Sequence, residues 1–556
     1  MRRIRLLAFA AVLAAFAFGS TAVAKPPDVN SSKLREAVTV DGIVGHQRAL
    51  QDIANANGGT RYTKTSGYDA SVAYVRDTMQ KAGWNVSISQ FDMPDWKETA
   101  PPVLEQIAPT PKPYVHGSAA DDDSAAVDFI AFEFSPTKDV PSAPVVPTND
   151  IVIPSPAANS NTSGCDASDF PAATRGAVSL IQRGTCSFTQ KLANAQAAGA
   201  VGIILFNEGD SDGRMNAGFR SGPTDLAIPA VFSSFAVGNE LYEAFKNNQS
   251  PTVHLQTNGV AVEHLYPQVI AETPRGDPNK VVLAGAHLDS VPAGPGINDD
   301  GSGTSWQLEL GEQISKLGTP PRNKIRLMWF GGEEDGLVGS QYYAAHLSPA
   351  EADKIMVMID TDMIASPNYA RFIYDGNGDD EAGNPAGPAG SDVVEGVFKR
   401  YFAQQGMATL PTAFDGRSDY VGFINRGIPA GGIFAGAEVP KTPEQVAVFG
   451  GVAGEQYDPC YHEACDTIDT VTGQPPAETM NVFETDPVLA QTQADALQGN
   501  ALKSLSEMSG AVTHAVWYFA RVKDTLPPRA ATARAASTKT KRYRFKYQGH
   551  PDARTR

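Results

Sequence analysis

The sequence predicts an α/β fold: a mostly parallel, twisted sheet flanked by helices, with a smaller α+β unit set into the chain ahead of it. Three observations carry this. From about residue 265 to 520, short apolar runs alternate with segments of helical spacing, the pattern of a parallel sheet covered by helices. A second, shorter alternation runs from about 146 to 260. A length of 556 residues exceeds one ordinary domain, so two folded units plus processing segments are expected.

In chain order, Arg2, Arg3 and Arg5 precede the apolar run LLAFAAVLAAFAFG, and Ala22-Val23-Ala24 offers the small residues a signal peptidase reads. The run is short for a ~20-residue membrane span. A signal peptide over residues 1–24 is therefore expected, giving a secreted or periplasmic protein with no membrane span after cleavage. Residues 25–145 read as the N-terminal part of the main domain followed by a linker. They hold a helix over LREAVTVDGIVGHQRALQDIANA, a second around ASVAYVRDTMQKAG, and the alternating strand WNVSISQFDM. A Pro- and Asp-rich stretch without periodicity follows, and its run Asp121, Asp122, Asp123 reads as a solvated loop.

Residues 146–260 form the α+β unit. VSLIQRG reads as a strand, FTQKLANAQAAGA as a helix and VGIILFNEG as a second strand, then IPAVFSSFAVGNELYEAFKNN as strand and helix. Residues 261–525 form the main body, with NKVVLAGAH, KIRLMWFGG and KIMVMIDTDMI as strands. SGTSWQLELGEQISKLG and VVEGVFKRYFAQQG are its clearest helices. The tail, 526–556, carries nine Lys or Arg against Asp552 and reads as a disordered or processed extension.

A formal charge of −17 argues against a nucleic-acid partner, since phosphate binding needs a basic face. Export permits disulfides, and four cysteines allow three pairings. Cys165 and Cys186 fall in one unit, Cys460 and Cys465 in the other, so pairing within each is expected. Zinc ligation by cysteine is the weaker reading, because no CxxC spacing exists.

In open α/β sheets, ligands gather at the carboxyl ends of strands. His287 and Asp289 sit at such an end in AGAHLDS, and Asp299 follows in the Gly-rich loop GPGINDDGSG before a helix. Its neighbour Asp300 reads as a plain helix cap. Glu333 and Glu334 follow the next strand; adjacent side chains diverge, so one can ligate a metal while the other faces a water. Asp360 and Asp362 interrupt an apolar strand, where charge is costly unless paired or metal-bound. His462 lies between two cysteines in DPCYHEACDT. Imidazole and carboxylate donors suit zinc, and a bridging carboxylate suits two ions ~3.5–4 Å apart. Asp375, Asn377 and Asp379 have the spacing of an EF-hand start, but Asp380 and Ala386 break the pattern at the sixth and twelfth positions, so a solvated loop is expected.

The ordered set HLD, NDDG, GEE, DMI and YHEACD resembles metallopeptidase family twenty-eight, the exported two-zinc aminopeptidases. The resemblance covers 265–470 closely and GGTRYTKTSGYDASVAYVRDTM more weakly. The run TRGAVSLIQRGTCSFTQKLANAQAAGAVGIILFNEG, followed by IPAVFSS, resembles the protease-associated domain inserted in several exported peptidases. These resemblances imply a zinc exopeptidase fold that removes N-terminal residues from peptides with a free N-terminus. One zinc would be held by His287 and Asp362 and the other by Glu334 and His462, with Asp299 bridging. Glu333 would be the general base for a water activated by both ions, and Asp289 would orient His287. Tyr461 and Arg417 match positions near the substrate. The chain departs from the family in MIDTDMIASPN, where NFDMIGSPN is the pattern, so Asp360 is additional. A carboxypeptidase or dipeptidase on the same scaffold is one alternative. An inactive peptide-binding protein is another, disfavoured because Glu333 and all five ligand positions are present.

Overall fold

The computed structural model describes residues 29–117, 127–153, 155, 161–209, 214–218, 225–380, 384–483, 485–523 and 526. The expected signal peptide, the Asp121–Asp123 run and the basic tail beyond Leu526 lie outside the described residues. In chain order the strands are β1 (Asn85–Glu98), β2 (Val103–Ala108), β3 (Lys112–Pro113), β4 (Phe129–Ala131), β5 (Lys138–Pro147), β6 (Val178–Gln182), β7 (Gly202–Phe206) and β8 (Ala230–Ser233). They continue with β9 (Thr252–Thr257), β10 (Gly259–Glu272), β11 (Asp277–His287), β12 (Asn323–Phe330), β13 (Ile355–Thr361), β14 (Phe372–Tyr374), β15 (Leu410–Thr412) and β16 (Ala430–Phe434).

One eight-stranded sheet has the order β1-β10-β12-β11-β13-β16-β14-β15. Its centre, β12-β11-β13-β16, is parallel, and the antiparallel pairs β1/β10, β10/β12 and β14/β16 flank it. The central strands are apolar on both faces because helices cover both. Val282, Ala284, Ile325, Leu327, Val357 and Ile359 point to one side, against Trp306 and Leu310 of the helix Gly301–Leu317 and Val512 and Val516 of the helix Asn500–Arg521. Leu283, Met328, Phe330 and Met358 point to the other, against Leu337, Tyr420 and Phe423. This alternation is the two-residue period of a strand buried on both sides.

The first expected helix is two, Ser32–Ala37 and Val40–Ala56. Thr39 takes an extended conformation between them and accepts the N–H of Gly42 with its side chain, so an N-cap interrupts the apolar period. WNVSISQFDM does form a strand, but β1 continues to Glu98, paired with β10 along its whole length.

The second sheet has the order β3-β2-β9-β5-β6-β7-β8-β4, parallel from β5 through β8. It begins at Val103, well before the expected boundary at 146. The Pro-rich stretch expected to be a linker supplies β2, β4 and β5. Prolines 141, 144 and 147 in β5, and only three residues in β4, erase the alternation by which strands are recognised. Ser187 and Ser234 cap the helices Phe188–Ala198 and Phe235–Lys246. Cys165 and Cys186 are disulfide-bonded here. Where the two sheets meet, Trp96 donates its indole N–H to the Ser135 carbonyl at 3.0 Å and Lys64 pairs with Glu133 at 2.6 Å. No helix among the described residues is long and apolar enough to cross a membrane.

Candidate active site and metal centre

Three parallel strands deliver the site. His287, the last residue of β11, stands in register with Phe330 at the end of β12, and Gly285 with Asp360 in β13. The residues just past each strand therefore emerge side by side at the carboxyl edge. Below them starts the helix Gly301–Leu317, capped by Asp300 as expected. Asp300 accepts the N–H groups of Gly303 at 2.9 Å and of Met363 and His287 at 3.2 Å, tying helix and both strand ends together. A Cβ on Gly303 would lie 2.3 Å from the Thr361 carbonyl oxygen, so only glycine allows this approach.

Asp299 sits between two imidazoles. His287 Nε2 is 3.0 Å from its Oδ1, and His462 Nε2 is 3.3 Å from its Oδ2. Glu334 Oε2 lies 3.1 Å from His462 Nε2, and Asp362 Oδ1 3.7 Å from His287 Nε2. On its other side, His287 Nδ1 is 3.1 Å from the Asp289 carbonyl oxygen, and Asp289 Oδ1 accepts the Glu333 N–H at 3.4 Å. All of these side chains are buried.

The Tyr461 ring stacks on His462 with centroids 3.8 Å apart. Arg417 donates to Tyr461 Oη at 3.2 Å and to both carboxylate oxygens of Glu438, at 2.8 and 3.2 Å. Cys460 and Cys465 are bonded around this segment. His462 has φ 60°, a left-handed conformation uncommon outside glycine, and the bridge together with the Asp458 bond to the Cys460 N–H (2.9 Å) holds it there. The structure thus brings together Glu333, Asp289, His287, Asp299, Glu334, Asp362, His462, Tyr461 and Arg417. A pocket opens beside them, lined by Asp299, Asp362, Asp415 and Arg417 together with the apolar and aromatic Met363, Tyr374, Phe434, Ala437 and Tyr461.

Burial raises Glu333 well above the usual carboxylate range, reinforced by Asp362, Asp299 and Asp289 against the pull of His287. Burial likewise lifts Glu334 to about 7, although His462 opposes the rise. Burial disfavours the charged His287, but Glu333 and the bonds to Asp289, Asp299 and Asp362 outweigh it, and its pKa rises well above the ordinary value. Asp299 moves the other way: burial would raise it, yet His287 and His462 hold it well below the usual range. So many acids in one desolvated cluster need compensating positive charge. Among the described residues, Glu334 Oε1 is buried with no hydrogen-bond donor, and Asp362 Oδ1 has none nearer than His287 Nε2 at 3.7 Å. Donor atoms of His287, Asp299 and Glu334, and separately of His287, Asp300 and Asp362, gather within 4.8 Å of one another. This donor set fits divalent ions of the borderline, nitrogen- and oxygen-seeking kind.

Sequence reading missed the residues that brace this set. Asp466 accepts the N–H of Asn298 at 2.7 Å and of Asp299 at 2.9 Å, and Asp458 accepts from the Asn298 side chain at 2.6 Å. Both acids stand in or beside the segment that carries His462, which was their available signal. Asp360, unexplained in the sequence, is buried beneath the site, where burial and then Asp419 and Asp362 raise its carboxyl well above the usual range. The Asp375 loop turns on itself: Asp375 accepts from Gly378, Asp380 and Asn384, while Asp379 and Asp380 are exposed.

Strand-end carboxylates and imidazoles on a parallel sheet, buried and facing one another, define a metal-dependent hydrolase site. Residues 268–483 match the model of peptidase family M28, and residues 142–241 that of the PA domain. An aminopeptidase of Pseudomonas aeruginosa is 41% identical over 445 residues, 79% of this chain and 78% of that protein. Leucine aminopeptidase 2 of Arthroderma otae is 35% identical over 447 residues, 80% of this chain and 83% of that protein. Among solved structures, the zinc aminopeptidase of Bacillus subtilis shares the fold with a TM-score of 0.58 at 22% identity, covering 86% of this chain and 94% of its own. This chain belongs to peptidase family M28, as an aminopeptidase with an inserted PA domain.

Proposed function

We propose that the protein is an exported aminopeptidase working with two zinc ions, one held by His287 and Asp362, the other by Glu334 and His462, with Asp299 shared. The observation that carries this reading is Asp299, which presents one oxygen to each of two imidazoles inside a buried acidic cluster. When bound, the ions supply Lewis-acid polarisation of the scissile carbonyl and acidify the attacking water.

The chain's own groups do the rest. Glu333 takes the proton from the water and delivers it to the leaving amine. Asp289 fixes the His287 ring chiefly through its main-chain carbonyl, 3.1 Å from Nδ1, with its carboxylate 3.7 Å away. Tyr461 and Arg417 face the pocket and contact the substrate there. The acids around it favour a free α-ammonium group, and the walls Met363, Tyr374, Phe434 and Ala437 favour an apolar first side chain. The peptidase body flanks the insert on both sides in sequence, an arrangement supported by the membership of the two sheets.

Metal content by mass spectrometry, beside a panel of aminoacyl-4-nitroanilides and N-acylated dipeptides, tests the reading. Two zinc ions per chain with cleavage of the nitroanilides are expected. Cleavage of the N-acylated dipeptides alone would make the enzyme a carboxypeptidase or dipeptidase. A chain that binds peptide but shows neither metal nor hydrolysis would be a binding protein.

A further inference from the structure

Arg61 lies in the segment ahead of the inserted domain, more than two hundred residues from the loop it reaches. It is fully buried, and its guanidinium donates to three backbone carbonyls: Pro295 through Nε at 2.8 Å, Gly296 through Nη2 at 2.6 Å, and Leu288 through Nη1. Its own N–H donates to Ser290 Oγ at 3.0 Å. Ser290 Oγ in turn donates to the Gly294 carbonyl at 2.9 Å, and Thr60 donates to the Val291 carbonyl at 2.8 Å. These bonds reach both ends of the loop that separates His287 from Asp299. Gly296 is in the left-handed region (φ 59°), and a Cβ there would lie 2.2 Å from the Asp299 carbonyl oxygen and 3.2 Å from Arg61 Nη2, so the turn and the guanidinium are fitted to each other.

Among the described residues Arg61 makes no direct ion pair. Its charge faces Asp289, Asp466, Asp300 and Asp299, the acids of and around the candidate metal centre. A guanidinium suits this position because its planar array of donors satisfies several carbonyls at once, whereas an ammonium is a single point of charge.

We propose that Arg61 is a positioning residue that pins residues 288–296 so that His287 and Asp299 face each other before metal arrives, while its charge offsets the gathered carboxylates. The proposal rests on the two-metal reading above. Removing the clamp leaves the carbonyls of Leu288, Pro295 and Gly296 short of donors and lets the Asp299 loop relax away from His287. Metal affinity then falls, because binding must also order the loop.

The test uses the full chain with Arg61→Lys, which keeps the charge and loses the fork, and Ser290→Ala, which removes the acceptor of the Arg61 amide and leaves the guanidinium. Zinc affinity is read by competition against a chromogenic chelator, with thermal unfolding of the metal-free forms alongside. For Arg61→Lys we expect roughly 10–100-fold weaker zinc binding. At saturating zinc, kcat should recover most of its parent value, while the metal-free melting temperature should fall by roughly a few degrees as buried carbonyls lose donors. For Ser290→Ala we expect a loss in the same direction, about three- to tenfold by the same reasoning at a single bond. Zinc affinity unchanged in the Lys variant overturns the proposal. So does a fall in melting temperature with affinity intact, which would mark a purely structural arginine. If the Lys variant does not fold, the Ser290→Ala affinity decides alone, and no loss there overturns the proposal. A parent chain that binds no zinc would instead remove the two-metal reading itself.

Discussion

Lys191 of the inserted domain is fully buried, and its ammonium donates to the carbonyls of Ser163 and of Gln182 (3.2 Å). In the peptidase body Asp299, Glu333, Glu334, Asp360 and Asp362 are buried within one cluster, and among the described residues Glu334 Oε1 and both carboxylate oxygens of Asp360 have no donor. Both regions desolvate charge. In the insert the charge closes off backbone carbonyls, so it serves architecture. In the body the carboxylates outnumber the groups that could satisfy them, and a fold keeps such a cluster when something else, a cation or a substrate, completes it.

The contrast breaks most sharply at the adjacent acids. Glu333→Ala should keep both metals yet lose about two to four orders of magnitude in kcat with a much smaller change in KM, since proton transfer belongs to the transition state. Glu334→Ala should weaken metal binding at least about 10–100-fold together with the rate. Metal stoichiometry beside kcat checks both, and Glu333→Ala losing an ion while Glu334→Ala keeps two would reverse the pair.

The two disulfides extend the comparison. Cys460 and Cys465 are 5 residues apart and Cys165 and Cys186 are 21 apart, so the chain-entropy model assigns the longer loop about 1 kcal/mol more stabilisation. Cys165→Ser should lower the melting temperature further, with turnover of a small nitroanilide unchanged. Cys465→Ser should lower turnover more than stability, because Tyr461 and His462 lie inside its loop. Turnover and thermal unfolding measured on the same two variants would expose the opposite pattern.

The smallest effect concerns Lys191. Burial first, against attraction from Asp150, Glu208 and Asp169, lowers its pKa from 10.5 to about 8. Between those values the unfolded chain holds the proton and the folded chain has released it. Stability of the insert should therefore be flat below about pH 8 and rise toward pH 10.5, by on the order of a few kcal/mol at most. Lys191→Met should remove this rise and cost about 1–3 kcal/mol through the carbonyls of Ser163 and Gln182, without touching small-substrate turnover. Unfolding followed against pH in both forms is the check; an unchanged slope in the variant would assign the rise to other groups.

Much of the site was legible because its chemistry is local in sequence. Each strand end carries its own short signal, AGAHLDS, GGEEDG or IDTDMI, and an acid at the end of an apolar strand is conspicuous. The helix break at Thr39 and the strands β2, β4 and β5 were not legible. There a cap and several prolines disturb the periodicities by which elements are read.

From the sequence alone came the alternation that makes a parallel-centred sheet, the kinds of donor at its strand ends, and the cysteines that pair within each unit. The first two depend on neighbours a few residues away, and the cysteine pairs span 5 and 21 positions. Tertiary structure decided which oxygen of Asp299 faces which histidine, that Asp466 and Asp458 brace its loop, and that Arg61 closes that loop from far upstream. Apart from His287 and Asp299, which are 12 positions apart, those contacts join residues separated by more than one hundred and fifty positions, and no periodicity or local propensity encodes a bond that exists only once both sheets and their helices have packed.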